Sequence, residues 1–275
     1  MSDSKTRSIT DKLANLAKIQ GVQYHFVLTT FLIQQLLVRL IRDKHTKKHL
    51  VFKGGFVLLR VYESPRYTID LDASLEGIST RDIMPLVISA VQDGGNAVAW
   101  YRFQKTVDLE TQGEYGGLRF VFHAGLGAVP KDISRAQIVH LDLGVGDAVT
   151  GESREMPMLL SDEGCVCTIY PCEVIVAEKI HSLVTRSLGN SRSKDIFDIA
   201  HLAERIKHER LRLALTETFQ ARGDELPVDL MKCIQTMDTS VLRRGWSSAV
   251  SSISNPQSFD KAFDTLVDLI GKLEL

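Results

Sequence analysis

Asp70 and Asp72 stand two residues apart in Ile69-Asp70-Leu71-Asp72-Ala73. On a β-strand that spacing turns both carboxylates to one face and Ile69, Leu71 and Ala73 to the other. A carboxylate pair backed by an apolar row suits a divalent cation such as Mg²⁺ or Mn²⁺. Mg²⁺ takes one or two carboxylates and completes its shell with substrate phosphates and water. An amphipathic edge strand with a wet acidic face would read the same way. The pair Gly54-Gly55 just upstream tips the balance, because a backbone without side chains lets amide groups approach a phosphate at a helix start. It is not a P-loop, since the Gly-x4-Gly-Lys-Ser/Thr pattern does not occur. A third carboxylate, Asp142, lies in QIVHLDLGV (137–145), where alternation puts Ile138, His140, Asp142 and Gly144 on one strand face. If the two strands are neighbours, the three carboxylates cluster around one or two ions. Such ions activate an attacking hydroxyl and offset charge on a leaving pyrophosphate.

These residues need elements to hold them. Helical periodicity runs over 9–20 and 23–43, and a short strand, His49 to Phe52, feeds the glycine turn. Phe56 to Tyr62 reads as a short helix broken by Glu63-Ser64-Pro65. Ser79 is an N-cap for a helix over 80–92, which Gly94-Gly95 would end. Residues 98–109 and 117–126 are rich in Val, Phe, Trp and Tyr and form a hairpin around a glycine-rich turn. From Pro171 the texture is helical, with patterns over 172–188, 193–206, 208–221, 227–238 and 257–273. The expectation is an α+β unit over 1–165, including the N-terminal helices, and an all-helical region over 166–275, joined through the turn-rich stretch 147–171.

The 275 residues carry 33 basic and 34 acidic side chains, so no global positive field advertises a nucleic-acid partner, and any such partner needs a local patch. The polar start, MSDSKTRSITDKL, lacks a signal-peptide apolar region. The apolar-rich run Phe26 to Ile41 is interrupted by Thr29, Thr30, Gln34, Gln35 and Arg39, too short and polar to span a bilayer. A cytoplasmic protein without membrane partner is expected. Cys165, Cys167 and Cys172 cluster, but with Cys233 distant and no Cys-x2-Cys pair they read as reduced thiols rather than a zinc site.

Five linked motifs resemble one family. They are Gly-Gly-x-x-x-Leu-Arg (54–60), Arg-x-Thr-x-Asp-Leu-Asp (66–72), Asp-Leu-Gly-Val-Gly-Asp (142–147), Tyr-Pro-x-Glu-x-x-x-Ala-Glu-Lys (170–179) and Asn-Ser-Arg-x-Lys-Asp-x-x-Asp (190–198). In this order they are similar to the AbiEii/AbiGii nucleotidyltransferase toxins of toxin–antitoxin and phage-defence systems. The resemblance covers residues ~50–205 and not the first 45 or last 70. It implies a DNA-polymerase-β-like nucleotidyltransferase core, a mixed sheet flanked by helices, followed by a helical C-terminal region. It also implies transfer of a nucleotide from an NTP with Mg²⁺ (or Mn²⁺), to an RNA acceptor with tRNA first among candidates, and a cognate antitoxin.

By match of motif, Asp70 and Asp72 would bind metal and act in catalysis with Lys179 and Asp195. Asp142 would take the third metal position. Lys53, Gly54, Gly55, Arg60, Arg66, Thr68, Lys179 and Asp198 would surround the nucleotide. Several have plainer readings. Lys179 could pair with a helix-surface glutamate, Asp195 and Asp198 could be solvated neighbours, and Arg60 and Arg66 could pair with Glu63. Phe56 departs from the family, standing where a hydroxyl residue is common. Competing functions are transfer to a protein or small molecule, and an NTP-binding interaction module paired with an antitoxin. Basic residues such as Arg205, Lys207, Arg210 and Arg212 could face RNA or simply water.

Overall fold

The computed structural model describes residues 3–92, 98–109, 116–146, 151–185 and 192–273. They divide into two compact units, one drawn from Met1–Glu63, Tyr67–Gly146 and Glu152–Ile169, the other from Ser64–Arg66, Asp147–Gly151 and Tyr170–Leu275.

The first unit begins with α1 (Asp3–Gln20), α2 (Tyr24–Arg42) and the single turn α3 (Lys44–Lys47). Its strands are β1 (Leu50–Lys53), β2 (Asp70–Leu75), β3 (Ala99–Asp108), β4 (Gly117–Leu126), β5 (Gln137–Gly144), β6 (Glu152–Met156) and β7 (Cys165–Ile169). Helix α4 (Gly54–Arg60) follows β1, and α5 (Thr80–Gln92) follows β2. The strands form one mixed sheet in the order β3-β4-β5-β2-β1-β7-β6. β2 runs parallel to β5 and β1 to β7, while the other pairs are antiparallel. Leu71, Ala73, Val139, Leu141, Leu143, Phe120 and Phe122 are buried on one sheet face. Against this side lies α2, which contacts β2, β5, α1 and α5. Ser79 caps α5 as expected. Its Oγ accepts from Asp82 N at 3.1 Å and donates to Asp82 Oδ2 at 2.6 Å.

The second unit contains α6 (Cys172–Thr185), α7 (Ser193–Leu202) with a 3-10 turn over Ala203–Arg205, α8 (His208–Ala221), α9 (Leu230–Gln235), α10 (Ser240–Ala249) and α11 (Phe259–Gly271). α6 packs on α7 and α8, and α7 on α10 and α11. Phe197 and Trp246 rings lie 6.2 Å apart, and Trp246 meets Phe259 edge-on at 5.5 Å, so aromatics join α7, α10 and α11.

Several elements differ from expectation. The stretch read as a turn-rich junction contains β6 and β7. β6 is ESREM, polar apart from a fully buried Met156, and carries no apolar alternation to reveal it. Helix α10, SVLRRGWSSA, has no counterpart among the expected helices, because its glycine and serines are weak helix formers and only Leu242 is buried. The helix expected over 227–238 shrinks to α9, because the Asp229 side chain accepts from Lys232 N and starts the helix there. Ile69 falls outside β2 and is 53% exposed, rather than sharing the apolar row. Helix α2 has 19 residues, and an 18-residue stretch of it reaches a mean hydropathy of 1.4, long and apolar enough by length and composition to cross a bilayer. That exceeds the reading of run 26–41, but most of the helix is buried within the protein, against α1, α3 and α5 as well as the sheet. Gly94-Gly95, the hairpin turn over 110–115, Asp147, Asn190 and Ser191 lie outside the described residues.

Candidate active site

β1 delivers the chain to Gly54, and β2 lies antiparallel beside it with Lys53 opposite Asp72. Gly54 has φ +69°, a conformation that L side chains rarely adopt. A Cβ there would lie 2.0 Å from Asp72 Oδ2. Glycine is therefore required both for the backbone and for room beside the carboxylate. Gly55 is the second residue of α4, whose first N–H groups have no partner within the helix. Phe56 is completely buried, as are Val57 and nearly all of Leu58, so apolar packing anchors the turn. The side chain in the hydroxyl position thus points into the core, not toward solvent.

β5 is the other neighbour of β2, in parallel register with Asp70 beside His140 and Asp72 beside Asp142. The structure thus brings Asp70, Asp72 and Asp142 onto adjacent strands of the sheet. His140 Nδ1 lies 2.9 Å from Asp70 Oδ1. Thr68 Oγ1 accepts from Asp70 N at 3.4 Å. Asp142 is buried and held by a two-pronged bond from β4, where Arg119 Nε and Nη2 donate at 2.8 and 2.6 Å to its two oxygens. Opposite one another in the β4–β5 ladder, these two have the geometry for a strong charge-assisted pair. Arg119 is hard to pick out from the sequence. Its one signal is a lone arginine in the apolar strand Gly117-Leu-Arg-Phe-Val-Phe122, which matters only once the register is known.

Asp70 and Asp72 are hard oxygen donors on a face that is only partly buried, a donor set that fits Mg²⁺ or Mn²⁺. Among the described residues no cluster of three or more His, Cys, Asp or Glu is arranged to hold an ion by itself. The remaining ligands would be substrate oxygens and water, the usual pattern for Mg²⁺. Arg60, also on α4, donates from Nη2 to Pro157 O at 2.7 Å.

The second unit gathers Arg66, Lys179, Asp195 and Asp198. Lys179 Nζ sits 2.7 Å from Asp195 Oδ1 and 2.8 Å from Asp198 Oδ2. Arg66 grips Asp198 through Nε at 2.8 Å and Nη2 at 2.7 Å, and Arg192 reaches Asp195 at 3.4 Å. Both aspartates are buried. Burial is the largest influence and opposes their ionisation, but the neighbouring cations together overcome it, Lys179 with Arg192 at Asp195 and Lys179 with Arg66 at Asp198. Asp195 is lowered, and Asp198 is held down to about 2. Burial likewise opposes charge on Lys179, and the two carboxylates overcome it, raising its pKa. Asp195 and Asp198 share a helix face as their spacing implies, but that face is interior, and the partner of Lys179 comes from α7 rather than its own helix.

A family model, Nucleotidyl transferase AbiEii toxin of type IV toxin–antitoxin systems, matches residues 35–268. Among solved structures, a putative nucleotidyltransferase from H. pylori aligns with a TM-score of 0.51 at 16% identity, covering 88% of this chain and 93% of that one. JHP933 from Helicobacter pylori aligns at 0.50 and 16%, covering 88% and 90%. At such identities the likeness speaks for the fold, a mixed sheet flanked by helices with a helical C-terminal region. No curated protein matches. With the family model spanning most of its length and the five motifs in order, the chain belongs to the AbiEii nucleotidyl transferase toxin family.

Proposed function

We propose that this nucleotidyltransferase toxin is Mg²⁺-dependent, acts in the cytoplasm, and moves a nucleotide from an NTP to an RNA acceptor, with tRNA the leading candidate and a cognate antitoxin as its counterpart. The single observation carrying this reading is Gly54 pressed against Asp72, which joins a phosphate-compatible turn to a carboxylate pair on β2. Asp70 and Asp72 hold the cation, and Asp142, aimed by Arg119, lies beside them. When bound, the cation offsets charge on the phosphates and leaving pyrophosphate. The amides at the start of α4 cradle the triphosphate. His140, bonded to Asp70, fixes that carboxylate's orientation.

Each of four α-labelled NTPs, incubated with total RNA, purified tRNA or no acceptor, tests the proposal. Label is expected on tRNA with wild type and not with Asp70→Ala. Label on the protein alone would favour self-modification. NTP binding without transfer to any acceptor would point instead to an interaction module.

Gly54→Ala is expected to lower transfer at least tenfold and to cost about 1 kcal/mol or more of stability, since alanine at positive φ is strained. Single-turnover rates and denaturant titration measure the two effects. Transfer at the wild-type rate would show that the tight turn plays no part in catalysis. Arg119→Gln, which keeps a hydrogen-bond donor but loses the fork, is expected to slow transfer about tenfold with KM for NTP little changed.

A further inference from the structure

The register places more than the carboxylates on the catalytic face of the sheet. Facing side chains in paired strands project to the same side, so the ladder can be followed in rows. One row runs Lys105 (β3), Val121 (β4), His140 (β5), Asp70 (β2), and the next row along runs Val107, Arg119, Asp142, Asp72. Toward the other end of the hairpin, Arg102 pairs with His123, and His123 with Ile138. The ladder shifts register between Phe103 and Lys105, and this irregularity brings both Arg102 and Lys105 to the catalytic side. Both are exposed, and Ile138 is 50% exposed on the same face. Beyond them, Lys131 and Arg135 are exposed on the loop between β4 and β5. The chain's near-zero net charge hides this local basic strip.

We infer that the β3–β4–β5 face is the bed for the RNA acceptor, with its backbone phosphates on Arg102 and Lys105 and its terminal hydroxyl at the carboxylates. The inference rests on the RNA-acceptor reading above. Lys105 lies three strand spacings from Asp70, about 14 Å, so it meets a phosphate some two nucleotides before the reacting end. The His123 and His140 rings and Ile138 give bases something to stack on between those points. Single-stranded binding of this kind needs a few cations and flat side chains, not a globally basic protein.

Charged residues on an edge strand also keep other chains from pairing with it, and the two roles separate by experiment. Arg102→Gln/Lys105→Gln in the full chain, with Lys105→Gln alone as a milder variant, is titrated with fluorescein-labelled bulk tRNA across a salt series. Both positions are exposed, so the fold should persist, as thermal melting checks. The expected result is roughly tenfold weaker tRNA binding and a salt-dependence slope reduced by about 1.4, from two lost phosphate contacts at ~0.7 each. KM for tRNA should rise about tenfold with kcat and NTP affinity unchanged. Wild-type affinity and slope in the variant, with or without aggregation, would overturn the placement while leaving RNA as the acceptor. A wild-type protein that transfers nucleotide only to itself, without binding tRNA, would overturn both.

Discussion

Asp70→Asn or Asp72→Asn will reduce nucleotide transfer by about 10³-fold or more while leaving the protein folded. A cation held at the phosphates supplies several kcal/mol of charge stabilisation, and every 1.36 kcal/mol is tenfold in rate. Asparagine keeps the size of the side chain but removes the negative charge that the cation requires. Both aspartates are partly exposed on β2, outside the sheet's apolar face, so loss of charge should move the melting temperature little. Mn²⁺ binding followed by electron paramagnetic resonance, with and without NTP, gives a reading independent of turnover. Undiminished Mn²⁺ affinity in both variants would remove them from the metal site. Asp142→Asn should weaken Mn²⁺ binding less than either, because Asp142 is already engaged by Arg119.

Lys179→Met will destabilise the helical unit by about 3–5 kcal/mol, the usual range for removing one partner of a buried ion pair. Arg66 still covers Asp198, while Asp195 keeps the longer contact with Arg192 and the weaker attraction of Lys194, so Asp195 bears most of the loss. A depressed carboxylate pKa stabilises the fold above its unfolded value near 4, and that contribution disappears as pH falls through the folded value. For Asp198 the window runs from about 4 down to about 2. Lys179, with its pKa raised, contributes below its unfolded value and loses that contribution only in strong alkali. Wild type should therefore resist acid, and Lys179→Met should unfold at higher pH than wild type. Circular dichroism against pH, with denaturant titration at pH 7, checks both. Transfer assayed at a temperature where the variant remains folded separates support from chemistry. Retained activity there would make Lys179 structural, whereas abolished activity would add a direct role in the reaction.

The legible parts of the sequence were those with strong local patterns. Asp70 and Asp72 declare their shared face through spacing, and β5 declares its buried row through Val139, Leu141 and Leu143. That Asp142 would lie beside Asp72 was conditional on strand order, which periodicity does not contain, and the parallel β2–β5 pairing settles it. The Arg119 fork and the interior Lys179–Asp195–Asp198–Arg66 cluster depend on contacts between elements far apart in sequence. A charged residue on a helix looks solvated until its partner is known. β6 was hidden because an edge strand can be polar on both faces. α10 was hidden because tertiary packing of Trp246, rather than helix propensity, holds it.

The grip of Arg66 on Asp198 spans 132 residues of sequence, and this separation sets a timetable for the newborn chain. The ribosome adds on the order of 5–20 residues per second, so Arg66 waits on the order of 10 s before Asp198 has even been made. During that interval the Ser64–Arg66 segment, four residues short of Asp70, has none of the helical unit to pack on. The sheet closes earlier, once β7 pairs with β1, and Arg66 finds its carboxylate only when α7 has emerged. A chain halted between those two events would carry Asp70 and Asp72 on a paired strand without the ion cluster, so the emergence of α7 is the step at which the helical unit gains its buried charges.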